Sequence, residues 1–266
     1  MVKKLFKILF LLLVFSTPAL ARELEEFSPS INSEGFSGDF FNQSARVIPF
    51  GHLAVGAYGI YSEDSQTYAS LAQTNATATL GLLPNLEIGG YIPYMQGSGT
   101  GTGVGDAHVG MKLLFSDQEV EAMPALALSL VGILPTGSSS YKTVGTLSYQ
   151  GMLIADTRIE TIDYSFYLSA QAGLFWGTDP SNNRERHFVY GGGAFLPLND
   201  RLVFMAEFDG VGADENNADW VRFSGTLKYV ARFFQIQAGI DKYVPVGVNS
   251  LTNNTIGAHG GVSLTF

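Results

Sequence analysis

GVGDAHVGMKLLF (residues 103–115) and MPALALSLVGILPTG (residues 123–137) decide the fold class. In the first stretch Asp106, His108 and Lys112 fall on one side of an extended chain, with Gly110 between them. Val109, Met111, Leu113 and Phe115 fall on the other. Successive strand side chains point to opposite faces, so one face is apolar and the other polar or charged. In the second stretch Leu126, Leu128 and Leu130 repeat the alternation. A soluble sandwich gives the same pattern, so the decision rests on recurrence and on an export address.

The address stands at the start of the chain. Lys3, Lys4 and Lys7 bracket the opening of the apolar run Leu5 to Phe15, and Ala19-Leu20-Ala21 is a small-x-small cleavage site. That is the layout of a secretory signal peptide, with a run too short to span a bilayer as a helix. Cleavage is expected after Ala21, which leaves 12 basic against 24 acidic residues. A charge of that sign argues against a nucleic-acid partner, which needs a cationic footprint. Cysteine is absent, so there are no disulfides, thiolate nucleophiles or cysteine metal sites. Glycine numbers 31, aromatics make up 12 %, and mean hydropathy is +0.16.

Recurrence shows along the chain. Residues 22–49 begin acidic (Glu23, Glu25, Glu26) and show no strict period. They read as an irregular periplasmic segment, either folded into a barrel mouth or left as a tail. Alternating segments then run over Phe50–Tyr61, Thr74–Leu82, Leu86–Met95, the opening stretch, Met123–Leu134, Val144–Asp156, Asp163–Trp176, His187–Leu196, Arg201–Val211, Trp220–Val230, Phe233–Tyr243 and Thr255–Phe266. Links near 84, 119, 160, 199 and 231 are mostly short, and those near 65, 100, 139, 181, 215 and 249 are long and polar. About twelve strands, short turns at one end and long loops at the other predict an all-β, up-and-down transmembrane barrel over residues 50–266. Ten or fourteen strands are the neighbouring counts.

Gly103-Val104-Gly105-Asp106, Gly110-Met111-Lys112 and Leu134-Pro135-Thr136-Gly137 resemble the GxGD…GxK strand and PTG-ended strand of a known family. It is the MetA-pathway phenol-degradation and transporter family of outer-membrane β-barrel proteins. Leu86-Glu87-Ile88-Gly89 and the terminal Ser263-Leu264-Thr265-Phe266 fit the same picture, while Ala107 and His108 depart from it. The resemblance implies an outer-membrane location, an association with aromatic-compound pathways, and a final Phe266 read by the barrel-assembly machinery.

In a barrel the polar face points inward. It gathers His52, Glu87, Asp106, His108, Lys112, Asp156, Glu207, Asp209, Arg222, Lys228, Asp241 and His259 as lumen-lining residues, with cations expected to meet carboxylates on neighbouring strands. His52 and His259 are expected to meet where first and last strands close. Small inward residues (Gly89, Gly110, Gly173, Gly191, Gly193, Ser224, Gly239, Gly257, Gly261) suggest space for a passage. Tyr61, Tyr94, Phe115, Tyr164, Trp176 and Phe188 are placed for aromatic girdles. The functional expectation is a passive channel for small molecules, aromatic or hydrophobic ones included, with membrane lipid and a solute as partners. No cofactor, metal or catalytic residue is assigned. A closed structural or surface-interaction barrel is the alternative, and a rim hydrolase built on Asp106 and His108 is the third reading.

Overall fold

The computed structural model describes residues 31–38, 41–64, 69–117, 123–160, 165–212, 219–246 and 255–266. The expected signal peptide, residues 22–30 and Tyr164 lie outside them. Thirteen strands form one antiparallel sheet: β1 (Leu53–Asp64), β2 (Ser70–Leu83), β3 (Leu86–Gly97), β4 (Gly101–Val104), β5 (Ala107–Ser116), β6 (Ala125–Leu134), β7 (Ser148–Glu160), β8 (Ser165–Thr178), β9 (Arg184–Asn199), β10 (Leu202–Gly212), β11 (Asp219–Val230), β12 (Phe234–Val246) and β13 (Thr255–Thr265). Each pairs with its sequence neighbour, except that the four-residue β4 only lengthens β3. β3 therefore pairs onward with β5, and the β1–β13 pairing closes the sheet on itself. The spanning strands number twelve, an even count that lets first and last strands pair antiparallel, and the closure leaves no sheet edge.

The alternation that predicted the strands also sorts two faces. On β13 every second residue from Gly257 to Thr265 is shielded or small, while Ile256, Val262 and Leu264 are exposed. On β12 Gln235, Gln237 and Asp241 are buried and Ile236 and Ile240 are exposed. The molecule is inverted relative to a water-soluble core, with charge inside and an apolar band outside. Tyr61, Tyr94, Phe115, Trp176 and Phe188 belong to that exposed set.

Three of the differences from the sequence reading bear on the candidate site. The Gly97–Gly103 loop contains β4, since Gly99 and Gly101 take positive φ (85° and 78°) and fold a hairpin back on β3. The GxGD stretch is consequently broken: β5 starts at Ala107, and Asp106 lies in the link. Residues 144–147 belong to a loop rather than to β7, because the Asp106 carboxylate holds Thr143 and Val144 there.

The lumen is occupied by the chain's own N-terminal segment. Residues 31–38 and 41–49 form no strand, and Ile31, Phe36, Phe41, Ala45 and Ile48 are buried. Ile31, Phe41 and Ile48 pack with Ala54, Tyr58 and Met205, and Ala45 packs with Ala125, Ala127 and Ile154. The small inward residues make room for this segment and for neighbouring side chains. A Cβ at Gly89 would run into the carbonyl oxygen of Gly35, and one at Gly191 into Asn42 Oδ1. Gly239 and Gly257 clear space for His259 and Asp241, and Gly261 for Tyr58.

Candidate functional site

A strand satisfies its backbone through its neighbours, but an irregular segment inside a barrel must find donors and acceptors elsewhere. The inward polar side chains supply them. On β3 the Glu87 carboxylate accepts Ser37 N–H at 2.9 Å, Ser37 O–H at 2.8 Å and Ile48 N–H at 2.8 Å. Opposite it in the β3–β5 register, Lys112 Nζ pairs with Glu87 at 3.0 Å. The same ammonium donates to the carbonyls of Ser37 (2.8 Å) and Ser44 (2.7 Å) and to Ser37 Oγ (2.6 Å). Both charged side chains have no exposed surface. Buried charge of this kind persists only when paired and hydrogen-bonded, and here the N-terminal segment completes the set.

A second anchor is Glu207 on β10, whose Oε1 accepts Phe41 N–H and Asn42 N–H, each at 3.1 Å. Asn42 Nδ2 also donates to Gly192 O, and Gln171 holds Asn42 Oδ1 and Gln43 N–H. Asp156 on β7 forms a third, accepting Ser44 O–H and Ala45 N–H. Asn75, Thr79 and Tyr58 bind the carbonyls of Ser33, Gly35 and Ile31 at 2.6–2.7 Å. Among the described residues these bonds reach β1, β2, β3, β5, β7, β8, β9 and β10. Toward β11 and β13 the segment presents the ring of Phe41, which lies 3.3 Å beneath the Arg222 guanidinium and edge-on to His259.

That wall carries its own pairs. Arg222 holds Asp209 with two nitrogens (2.7 and 2.9 Å) and donates to Tyr243 Oη at 3.0 Å. Asp209 and Arg222 face each other in register, so the pair follows from adjacency on one face. His259 Nδ1 lies 3.0 Å from Asp241, and Nε2 lies 2.7 Å from Thr226 Oγ1. The three groups resemble a nucleophile–base–orienter row. They are buried, and Phe41 lies against the histidine, so the row serves to satisfy inward polar atoms. Lys228 is buried on the same strand as Thr226.

Two expected lumen residues are placed otherwise. His52 is exposed before β1, while His259 pairs with Ile60 near the opposite end of that strand, so the two histidines do not meet. Asp106 is an anchor for the long loop after β6. Its oxygens accept Gly137 N–H (2.7 Å), Thr143 N–H (2.6 Å), Thr143 O–H (2.8 Å) and Val144 N–H (2.9 Å). Burial works to raise its carboxyl, but these donors win and hold it below the usual carboxylate range. His108 stacks on Tyr91 at 4.3 Å, so Asp106 and His108 do not form the water-activating pair of the hydrolase reading. Among the described residues no group of three or more metal-ligating side chains is assembled.

In the half of the barrel away from Phe266, a cavity of about 150 Å³ lies above the segment. Glu34 enters it from the segment; Asn75, Tyr91, Arg222 and Tyr243 enter from the wall, and Phe41 reaches it from below. Glu34 and Phe41 escaped the sequence reading because nothing periodic marks residues 31–49.

The model of a family described as "Putative MetA-pathway of phenol degradation" matches residues 28–248. Among solved structures, an outer-membrane channel from Pseudomonas putida F1 matches with a TM-score of 0.61 at 14 % identity, covering 86 % of this chain and all of that one. The NanC porin matches with 0.56 at 13 % identity (79 % and 98 % covered). The KdgM porin, solved with disordered oligogalacturonate, matches with 0.56 at 7 % identity (80 % and 99 % covered). At such identities the likeness is one of fold: the chain is a transmembrane β-barrel of the outer-membrane porin type. No curated protein matches it in sequence.

Proposed function

We propose that this chain, which belongs to the MetA-pathway phenol-degradation family, is a passive outer-membrane channel for small molecules, aromatic or hydrophobic ones included, restricted by its own N-terminal segment. Family membership and a porin-type barrel support the channel role. The observation that carries the restriction is the Glu87–Lys112–Ser37 cluster, two buried charges spent on seating residues 31–49 rather than on lining an open pore. Transport of this kind needs no covalent step, since lumen width and polarity set what passes. The solute-facing groups are then those lining the cavity above the segment: Glu34, Asn75, Tyr91, Arg222 and Tyr243.

In this reading the signal peptide is removed after Ala21, the exposed apolar band meets lipid, and Phe266 presents the chain to the assembly machinery. Turns face the periplasm and long loops the outside. A closed barrel acting through its loops is the second reading, favoured by the filled glycine positions. Solute-induced swelling of liposomes carrying the refolded, signal-free chain separates the two. Entry of small solutes that empty liposomes exclude supports the channel. Liposomes that hold folded barrel and swell no faster than empty ones sink it in favour of the closed barrel.

A further inference from the structure

The cavity above the N-terminal segment has a charge pattern that the channel reading leaves unused. Arg222 is the one cation among its described lining residues, and Asp209 already matches that charge through a two-point ion pair. Glu34 is left as a carboxyl facing the cavity without a lining cation of its own. Burial, and then Asp209, outweigh Arg222 and a hydrogen bond with Gln43 and push it up to about 7. With Arg222 matched by Asp209, the Glu34 carboxyl gives the cavity an excess of acidic over basic groups, which disfavours a second anion and favours a cation. The walls suit one with an organic coat, since Tyr91 and Tyr243 present ring surface and Asn75 and Gln73 offer amide groups. The volume, about 150 Å³, is the size of an engineered cavity that takes up benzene.

We propose that this cavity binds a small organic ammonium ion, with Glu34 as its counter-ion and Tyr91 and Tyr243 as its ring contacts. The site rests on the channel reading only where passage of the cation is concerned; occupancy itself requires none. Because Glu34 belongs to the seated segment and both tyrosines to the wall, a bound cation bridges the two and holds the segment in place.

Calorimetric titration of the refolded chain in detergent with choline tests the site. Its uncharged isostere 3,3-dimethyl-1-butanol serves as the control. Choline is expected to bind at least tenfold more tightly than the alcohol, and Glu34→Gln to remove that preference. Tyr91→Leu is expected to weaken choline at least threefold, which keeps the test open if the Glu34 variant does not fold. Equal affinity for choline and the alcohol, unchanged choline binding by Glu34→Gln, or no choline binding at all would overturn the proposal. Conductance recorded in parallel keeps the two ideas apart. Binding without current removes the channel and leaves the site, and current without binding does the reverse.

Discussion

Replacing Lys112 by Met removes one partner of a buried pair and leaves the rest of the cluster intact. Glu87 would then sit with no exposed surface and three neutral donors, from Ser37 and Ile48, but no counter-charge. Breaking a buried ion pair in this way costs about 3–5 kcal/mol. The three remaining donors argue for the lower end, about 3 kcal/mol. This energy is drawn from seating of the segment, because unseating lets Glu87 reach water while the barrel ladder stays closed. At about 1.4 kcal/mol per tenfold, the unseated population should rise roughly a hundredfold. The chain has no cysteine, so a single Ala45→Cys thiol, buried when the segment is seated, reports that population through its maleimide labelling rate. Lys112→Met should speed labelling roughly a hundredfold, and adding Glu87→Gln should bring it back toward the parent, since replacing both partners is near neutral. Labelling unchanged by Lys112→Met in a folded barrel would refute the claim that this pair seats the segment.

Three further outcomes rest on other contacts. Gly89→Ala drives a methyl into Gly35 O, so labelling at position 45 should rise strongly while the barrel still folds; parent-like labelling would show that the segment does not approach β3 so closely. Asp106→Asn should loosen the 137–144 loop by about 2 kcal/mol, since bonds to a charged acceptor are worth about 1.5–3 kcal/mol each, and raise hydrogen exchange at Thr143 and Val144 about thirtyfold. The Asp106 carboxyl is held below its ordinary 3.8, so this anchoring is complete above that value and lost as pH falls beneath it. Glu34 runs the other way: raised from 4.5 to about 7, it favours the seated segment fully below 4.5 and loses that contribution as pH rises through 7. The titratable groups around it are Asp209, Arg222, Tyr91 and Tyr243. Conductance should therefore be larger at pH 8 than at pH 5, and Glu34→Gln should flatten the difference; a slope that persists in Glu34→Gln would assign the pH response elsewhere.

The barrel was legible because a strand in lipid reports its two faces residue by residue. β6, β12 and β13 alternate without exception where it matters, and the turn at Pro84-Asn85 joins β2 to β3 directly. The ion pairs were legible for a related reason. Glu87 with Lys112 and Asp209 with Arg222 are direct cross-strand partners on the inward face, so sign and parity suffice to pair them. What fills the lumen was not legible. Residues 31–49 have no period because their backbone is satisfied by side chains far along the chain, such as Glu87, Asp156 and Glu207. The inward glycines consequently read as empty space, although Gly89 and Gly191 mark where another backbone or side chain lies against the wall. Asp106 was misplaced because parity continues through the Gly105-Asp106 link, where the chain leaves β4 before β5 begins.

Single-channel conductance in a planar bilayer, comparing the signal-free chain with one lacking residues 31–49, tests the central claim most directly. The account predicts small discrete steps for the parent and much larger ones once the segment is removed, from a barrel that remains folded. Equal steps from the two would contradict it, since the segment could not then be what restricts the lumen.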